Sequence, residues 1–216
     1  MPGTEQLAFA LLAFTSLLAI VNPISAIPIY LSLTSTLPVQ RRRATLRRAT
    51  ITGAIVLIVF GLLGTWILRF FGITTDAFRI TGGLLFLGIG SDMLAARRSR
   101  VKTTALEEEE AEHFDDVGII PLGLPTLAGP GAITTVVALV AQARTPVERG
   151  SVYLGILGVM AIAWIILSIA PLLLKRFGNT GLNVLTRVMG LLVMVIGMQF
   201  IINGTVNVLN GVINPG

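Results

Sequence analysis

Two short stretches place proline, small residues and uncharged polar groups in the middle of apolar runs. They are Asn22-Pro23-Ile24-Ser25-Ala26-Ile27-Pro28 and Leu127-Ala128-Gly129-Pro130-Gly131-Ala132. Proline lacks a backbone donor and clashes with the preceding helical turn, so each stretch reads as one helix stopping and another starting. Asn22 before Pro23, and Gly129 before Pro130, have the chemistry of an N-cap followed by a first helical residue. A starting helix offers free N–H groups and about half a positive charge, and a stopping helix offers free carbonyls. Together such ends suit a small zwitterion: donors for its carboxylate, and carbonyls around Ala19 to Val21 and Thr126 to Ala128 for its ammonium. The candidate binding residues are therefore Asn22, Pro23, Ile24, Ser25, Ala26 and Pro28 in the first stretch and Gly129, Pro130, Gly131 and Ala132 in the second. The alternative is that the prolines only kink packed helices, with small residues allowing close approach and no ligand involved.

Other chemistry has little to work with. The chain has no cysteine and a single histidine, His113, in an acidic stretch, so thiolate and ordinary metal-ligand sets are excluded. No Ser/His/Asp set, paired intramembrane carboxylates or phosphate loop is present, so neither an enzyme nor a cofactor is expected. Asp92 is the one acidic candidate for a coupling role, with an interfacial pairing to Arg97 as its alternative. Gln199 is a candidate for the pathway, and Thr134, one turn past the second break, either lines it or satisfies backbone groups.

These residues must be held by elements suited to lipid. Of 216 residues 54% are hydrophobic and only 12% charged, a balance that excludes an ordinary soluble domain. Runs free of Asp, Glu, Lys and Arg cover residues 6–40, 49–68, 117–143, 150–174 and 188–216, each near or above the roughly 20 residues that cross a bilayer. A weaker sixth candidate covers 78–96. The first run is too long for one straight crossing and contains the first break, while 117–143, the fourth span in chain order, contains the second. Irregular backbone at membrane depth is tolerated only where protein or a wet cavity satisfies it, so the breaks predict a cavity. The start carries Glu5 and no small-residue cleavage site, so the first segment is expected to be retained.

The net charge of +5 resides at span boundaries rather than on a nucleic-acid-binding face. With six spans, Arg41, Arg42, Arg43, Arg47, Arg48, Arg97, Arg98, Arg100, Lys102, Lys175, Arg176 and Arg187 share one side, against Arg69, Arg79, Arg144 and Arg149 on the other. The positive-inside rule then puts the first group in the cytoplasm and both termini outside.

The sequence also repeats. GLLFLGIG at 83–90 and GLLVMVIG at 190–197 are 107 residues apart, and the same offset carries Asn22-Pro23 onto Gly129-Pro130. A further echo, RFFG ending at Gly72 and KRFG ending at Gly178, needs 106. Three spans per half would insert the halves in opposite orientation, as in many secondary transporters. The expected architecture is an all-α integral membrane protein of six transmembrane helices in two inverted three-helix repeats, the first and fourth helices discontinuous. Residues 1–96 form the first repeat, 97–116 a charged cytoplasmic linker and 117–216 the second.

The segments NPISAIPIYLSLT, FGITTDAFRITGGLLFLGIGSDML and PLGLPTLAGPGAITT resemble the MarC family of bacterial and archaeal inner-membrane proteins, in order and spacing across nearly the whole chain. The resemblance implies a transporter of small neutral amino acids such as glycine and alanine, with the two breaks as its substrate site. One departure is that Ser25 stands where the family motif Asn-Pro-x-Gly-x-x-Pro has glycine. An exporter or exchanger working by alternating access is therefore expected; a membrane scaffold packing its glycine-rich third and sixth helices on partners, and a passive small-solute channel, are the alternatives. Oligomerisation is left open.

Overall fold

The computed structural model describes residues 2–35, 37–95 and 122–213, and all regular structure among them is helical. Helix α1 (Pro2–Val21) and the short α2 (Ile27–Thr34) are followed by α3 (Val39–Phe70) and α4 (Thr75–Leu94). After a π-helical turn (Leu122–Leu127) come α5 (Pro130–Gln142), α6 (Pro146–Ser168) and α7 (Ala170–Ile213). The linker expected at 97–116 lies outside the described residues. Five helices, α1, α3, α4, α6 and α7, are long and apolar enough to cross a membrane, whereas α5 has 13 residues. The fourth segment, expected to be discontinuous, is a short helix preceded by a π turn, inside which Leu124 adopts extended backbone (φ −127°, ψ 130°).

Local chemistry explains the boundaries. Thr74 caps α4 by accepting the N–H of Ala77 at 3.2 Å. Thr145 and Glu148 form a reciprocal capping box at the start of α6, with Pro146 in the first turn. At the end of α3, Gly72 takes φ +67° while Ile73 N–H donates to Leu68 O and Gly72 N–H to Arg69 O, the pairing of a Schellman stop. Gly178, at φ 63° and ψ 179°, divides α7 into 170–177 and 179–213, a backbone state open essentially to glycine alone. Arg42 ties the α2–α3 junction by donating from Nε to Leu37 O and from Nη2 to Ser35 O.

Helix α5 is the centre of the bundle. It packs on α1, α3, α4 and α6, and nine of its residues, including Gly131, Ala132 and Thr134 to Val140, are buried. A helix apolar on all sides belongs in an interior. Close approach to α3 depends on Gly61 and Gly64, where an added Cβ would meet Val136 and Val137. The other apolar surfaces point outward: Leu7, Leu62, Trp66, Phe70, Leu154 and Leu191 are exposed. Trp66 stacks on Phe70 at 5.7 Å and Phe70 meets Phe71 edge-on at 5.3 Å, an aromatic group at the end of α3 suited to a lipid headgroup region.

The most extensive helix pairing is α4 against α7, and glycine allows it. An added Cβ on Gly83 would meet Gly197 O at 2.5 Å and one on Gly197 would meet Gly83 O at 2.8 Å. Gly90 and Gly190 oppose each other in the same reciprocal way, at 2.6 and 2.9 Å.

Candidate binding site

The first break differs in detail from its sequence reading. Asn22 does not cap the second helix; it ends the first, in left-handed backbone at φ 44°. Asparagine adopts this region more readily than other side-chain-bearing residues, because a short polar side chain can bond locally. Its carbonyl accepts the Ser25 N–H at 3.2 Å and the Ser25 hydroxyl at 2.9 Å, which closes a turn over 22–25. Ala26 is then the N-cap of α2, and Pro28 rather than Pro23 occupies its first turn. The Ser25 hydroxyl, present where glycine was expected from the family motif, is thus spent on the turn.

Asn22 is 1% exposed, and its amide is poorly satisfied. The Nδ2 group donates to Met93 Sδ at 3.8 Å, and Oδ1 receives the Ser25 N–H at a long 3.4 Å. Thioether sulfur is a weak acceptor, so a buried amide here has donor capacity left for a stronger partner. Pro23 and Ala26 are buried, Ile24 and Ser25 half-buried, and Pro28 exposed.

The second break follows its sequence reading more closely. Gly129 is the N-cap of α5 with extended backbone (φ −72°, ψ 173°), and Pro130 sits in the first turn. The first intrahelical bond runs from Ile133 N–H to Gly129 O, so the N–H groups of Gly131 and Ala132 precede the ladder. Both residues are buried, as are Ala128 and Gly129, while Pro130 is exposed.

One ridge of α4 joins the breaks. A Cβ on Gly131 would lie 3.0 Å from Ile89, 3.3 Å from Ile20 at the end of α1 and 3.5 Å from Phe86. Met93, the partner of Asn22, is one turn beyond Ile89 on the same helix. The underbonded Asn22 amide and the start of α5 therefore face adjacent turns of Phe86, Ile89 and Met93, all nearly inaccessible. The sequence reading did not pick out this ridge, although the spacing 86, 89, 93 is that of one buried helical face.

The remaining candidates separate from this site. The Thr134 hydroxyl donates to Pro130 O at 2.8 Å within its own helix, and its methyl packs on Gly82. Gln199 donates to Asn203 Oδ1 at 2.7 Å along the exposed side of α7. Asp92 is half-buried beside Met93, and Arg97, the partner proposed from sequence, lies outside the described residues.

Two cavities lie at the opposite end of the bundle, where the helix ends carry charge. One of about 510 Å³ is lined by Gly61, Thr65, Arg69, Val140, Arg149 and Tyr153. The other, about 470 Å³, is lined by Glu5, Arg79, Gln142, Arg144, Glu148, Asn203 and Asn207 among others. Asp76 Oδ1 receives Asn207 Nδ2 at 3.0 Å and Arg79 Nη1 at 3.4 Å. Arg79 Nε is buried with no partner, the one such side-chain nitrogen or oxygen among the described residues. An unmet buried donor of this kind costs about 1–3 kcal/mol, more for a charged group. At 1.5 Å per residue, Val21 is about 24 Å along α1 from Glu5, and Pro130 about 18 Å along α5 from Gln142. Both lengths are shorter than the roughly 30 Å of a bilayer's hydrocarbon core.

The profile of the MarC family integral membrane proteins matches residues 7–209. The chain belongs to the MarC family. A UPF0056 membrane protein of Methanocaldococcus jannaschii is 38% identical over 190 residues, covering 88% of this chain and 83% of its own. The UPF0056 membrane protein YhcE of Escherichia coli is 35% identical over 181 residues (84% of each chain), and YvbG of Bacillus subtilis 34% over 187 residues, covering 86% of this chain and 89% of its own. This MarC sequence is therefore an integral membrane protein of a family found in bacteria and archaea. No solved structure matches the chain.

Proposed function

We propose that the protein is a carrier for small neutral amino acids such as glycine and alanine, an exporter or exchanger that alternates access around the two helix breaks. The observation that carries this reading is the meeting of the underbonded Asn22 amide and the start of α5 on adjacent turns of α4. Amide and helix N-terminal donors suit a carboxylate. Ile20, Phe86 and Ile89 pack within 3.5 Å of where a Cβ on Gly131 would lie, so a ligand at this break would have to be small.

The proposed architecture is six crossings in two inverted repeats, in the inner membrane, with both termini outside and the linker at 97–116 in the cytoplasm. Three observations support it. Glu5, Arg79, Arg144 and Asn207, which the six-crossing topology puts on one side, border one cavity. Gly72 and Gly178, the ends of the RFFG and KRFG echoes, are the two glycines with positive φ among the described residues. The Gly83–Gly197 and Gly90–Gly190 oppositions exchange partners under the 107-residue offset, as a two-fold axis in the membrane plane requires. The same oppositions weigh against a scaffold, because the glycine faces it would present to partners are occupied within the chain.

Proteoliposomes loaded with unlabelled alanine or glycine should accumulate the labelled amino acid by saturable counterflow. Uptake no higher than in empty vesicles would refute the carrier, and flux rising linearly with concentration would assign a channel.

A further inference from the structure

The outer cavity at Arg79 has features that the break site does not explain. It is bounded by the start of α1, the first turns of α4, the α5–α6 junction and the end of α7. The Arg79 side chain is 90% buried, with its relative exposure at 10%, yet among the described residues its ion-pair contact is a single one to Asp76 Oδ1 at 3.4 Å. That acceptor is shared with Asn207 at 3.0 Å, and Nε has no acceptor. A guanidinium presents a planar fork of donors that a carboxylate fills with two parallel bonds. One long contact to a shared oxygen leaves most of that fork unused.

The rest of the lining indicates what the fork would hold. Arg79 and Arg144 are balanced by Glu5 and Glu148, with Asn203 and Asn207 adding neutral amide groups. Glu148 already accepts two N–H groups, from Arg144 at 2.6 Å and Thr145 at 3.2 Å, both through Oε2. A lining of both signs disfavours a multiply charged anion and suits a molecule carrying one carboxylate and one ammonium group. The volume of about 470 Å³ is within the range of small-molecule sites.

We infer that this cavity is a second binding site, at the outer face, for the small zwitterion: Arg79 takes its carboxylate and the Glu5 side its ammonium. The choice of an amino acid as ligand rests on the carrier reading above; the site itself rests on Arg79. In a carrier it would hold solute about 20 Å from the break site, estimated along the helices, and so act as a loading or release station.

The test is equilibrium binding of labelled glycine to the purified full-length chain, comparing wild type with Arg79→Gln, Arg79→Lys and Gly131→Val. Wild type should show two binding components. Arg79→Gln should lose one of them, or weaken it at least tenfold, while Arg79→Lys retains it in part and Gly131→Val affects only the other. Acetate should displace the Arg79-dependent component. Unchanged binding in a folded Arg79→Gln variant, checked by thermal unfolding, would overturn the second site and leave counterflow as a separate question. Displacement by phosphatidylglycerol but not by acetate would assign the guanidinium to a lipid headgroup and also overturn it. Arg79-dependent glycine binding without counterflow in wild type would sustain this site and refute the carrier. If Arg79→Gln does not fold, Arg79→Lys decides: the Arg79-dependent component must weaken in it, and identical binding overturns the proposal.

Discussion

At the scale of the residue, Asn22 combines two demands that rarely coincide: left-handed backbone and a buried amide with only a sulfur acceptor for its donor. Asn22→Gly separates them, since glycine keeps the backbone state at little steric cost and removes the amide. The expected outcome is at least a tenfold rise in the half-saturation concentration for alanine counterflow, with the unfolding temperature nearly retained. Gly178→Ala tests the other kind of role. No atom crowds Gly178, so only its backbone state is at stake, and the substitution should cost about 1–3 kcal/mol in a thermal or denaturant unfolding series. Residue types and spacing made both breaks legible, but not which residue ends one helix and which begins the next. Asn-Pro is chemically fit for an N-cap; the left-handed turn closed by Ser25 is decided by competition among nearby hydrogen bonds. Arg79 was legible only as a boundary charge, because burial depends on α7 folding back across α4.

Elements explain why the glycine-rich octets recur. In α4 and α7 the repeated glycines bring backbone against backbone, so their function is packing within the chain. Gly90→Leu would drive a side chain into Met194 and the Gly190 carbonyl and should greatly reduce recovery of folded protein. Gly88→Leu on the same helix meets no atom within 4 Å and is exposed, so its stability should stay within about 0.5 kcal/mol of wild type. Thermal unfolding of the pair in detergent measures the contrast. Charge gaps located the long helices, closely for 78–96 against Thr75–Leu94, but ten residues late at the start of Val39–Phe70, where 49–68 was expected. They could not reveal that α5 is the central helix, since an apolar run facing lipid and one facing protein have the same composition.

For the whole molecule, the arrangement joins a buried pair of helix breaks to a charged end of the bundle through α1 and α5. The orientation can be measured directly because the chain has no cysteine. Val147→Cys should react with a membrane-impermeant thiol reagent in intact cells, whereas Gln40→Cys and Asn179→Cys should react only after permeabilisation. The reverse pattern would invert the topology, and labelling of all three from outside would refute the six-crossing plan. The pairing of two separate breaks into one site is the step that neither hydropathy nor the repeat alone supplies; it depends on Phe86, Ile89 and Met93 bridging them.

The central claim, that the two breaks bind and carry one small zwitterion, is tested most directly by alanine counterflow in proteoliposomes holding wild type, Asn22→Gly, Gly131→Val or the double variant at matched insertion. Saturable counterflow in wild type is expected. Each single variant should weaken it at least tenfold, and the double variant should do so by less than the product of the two, because both breaks hold the same ligand. Wild-type vesicles indistinguishable from empty ones, or variants transporting as well as wild type, would contradict it.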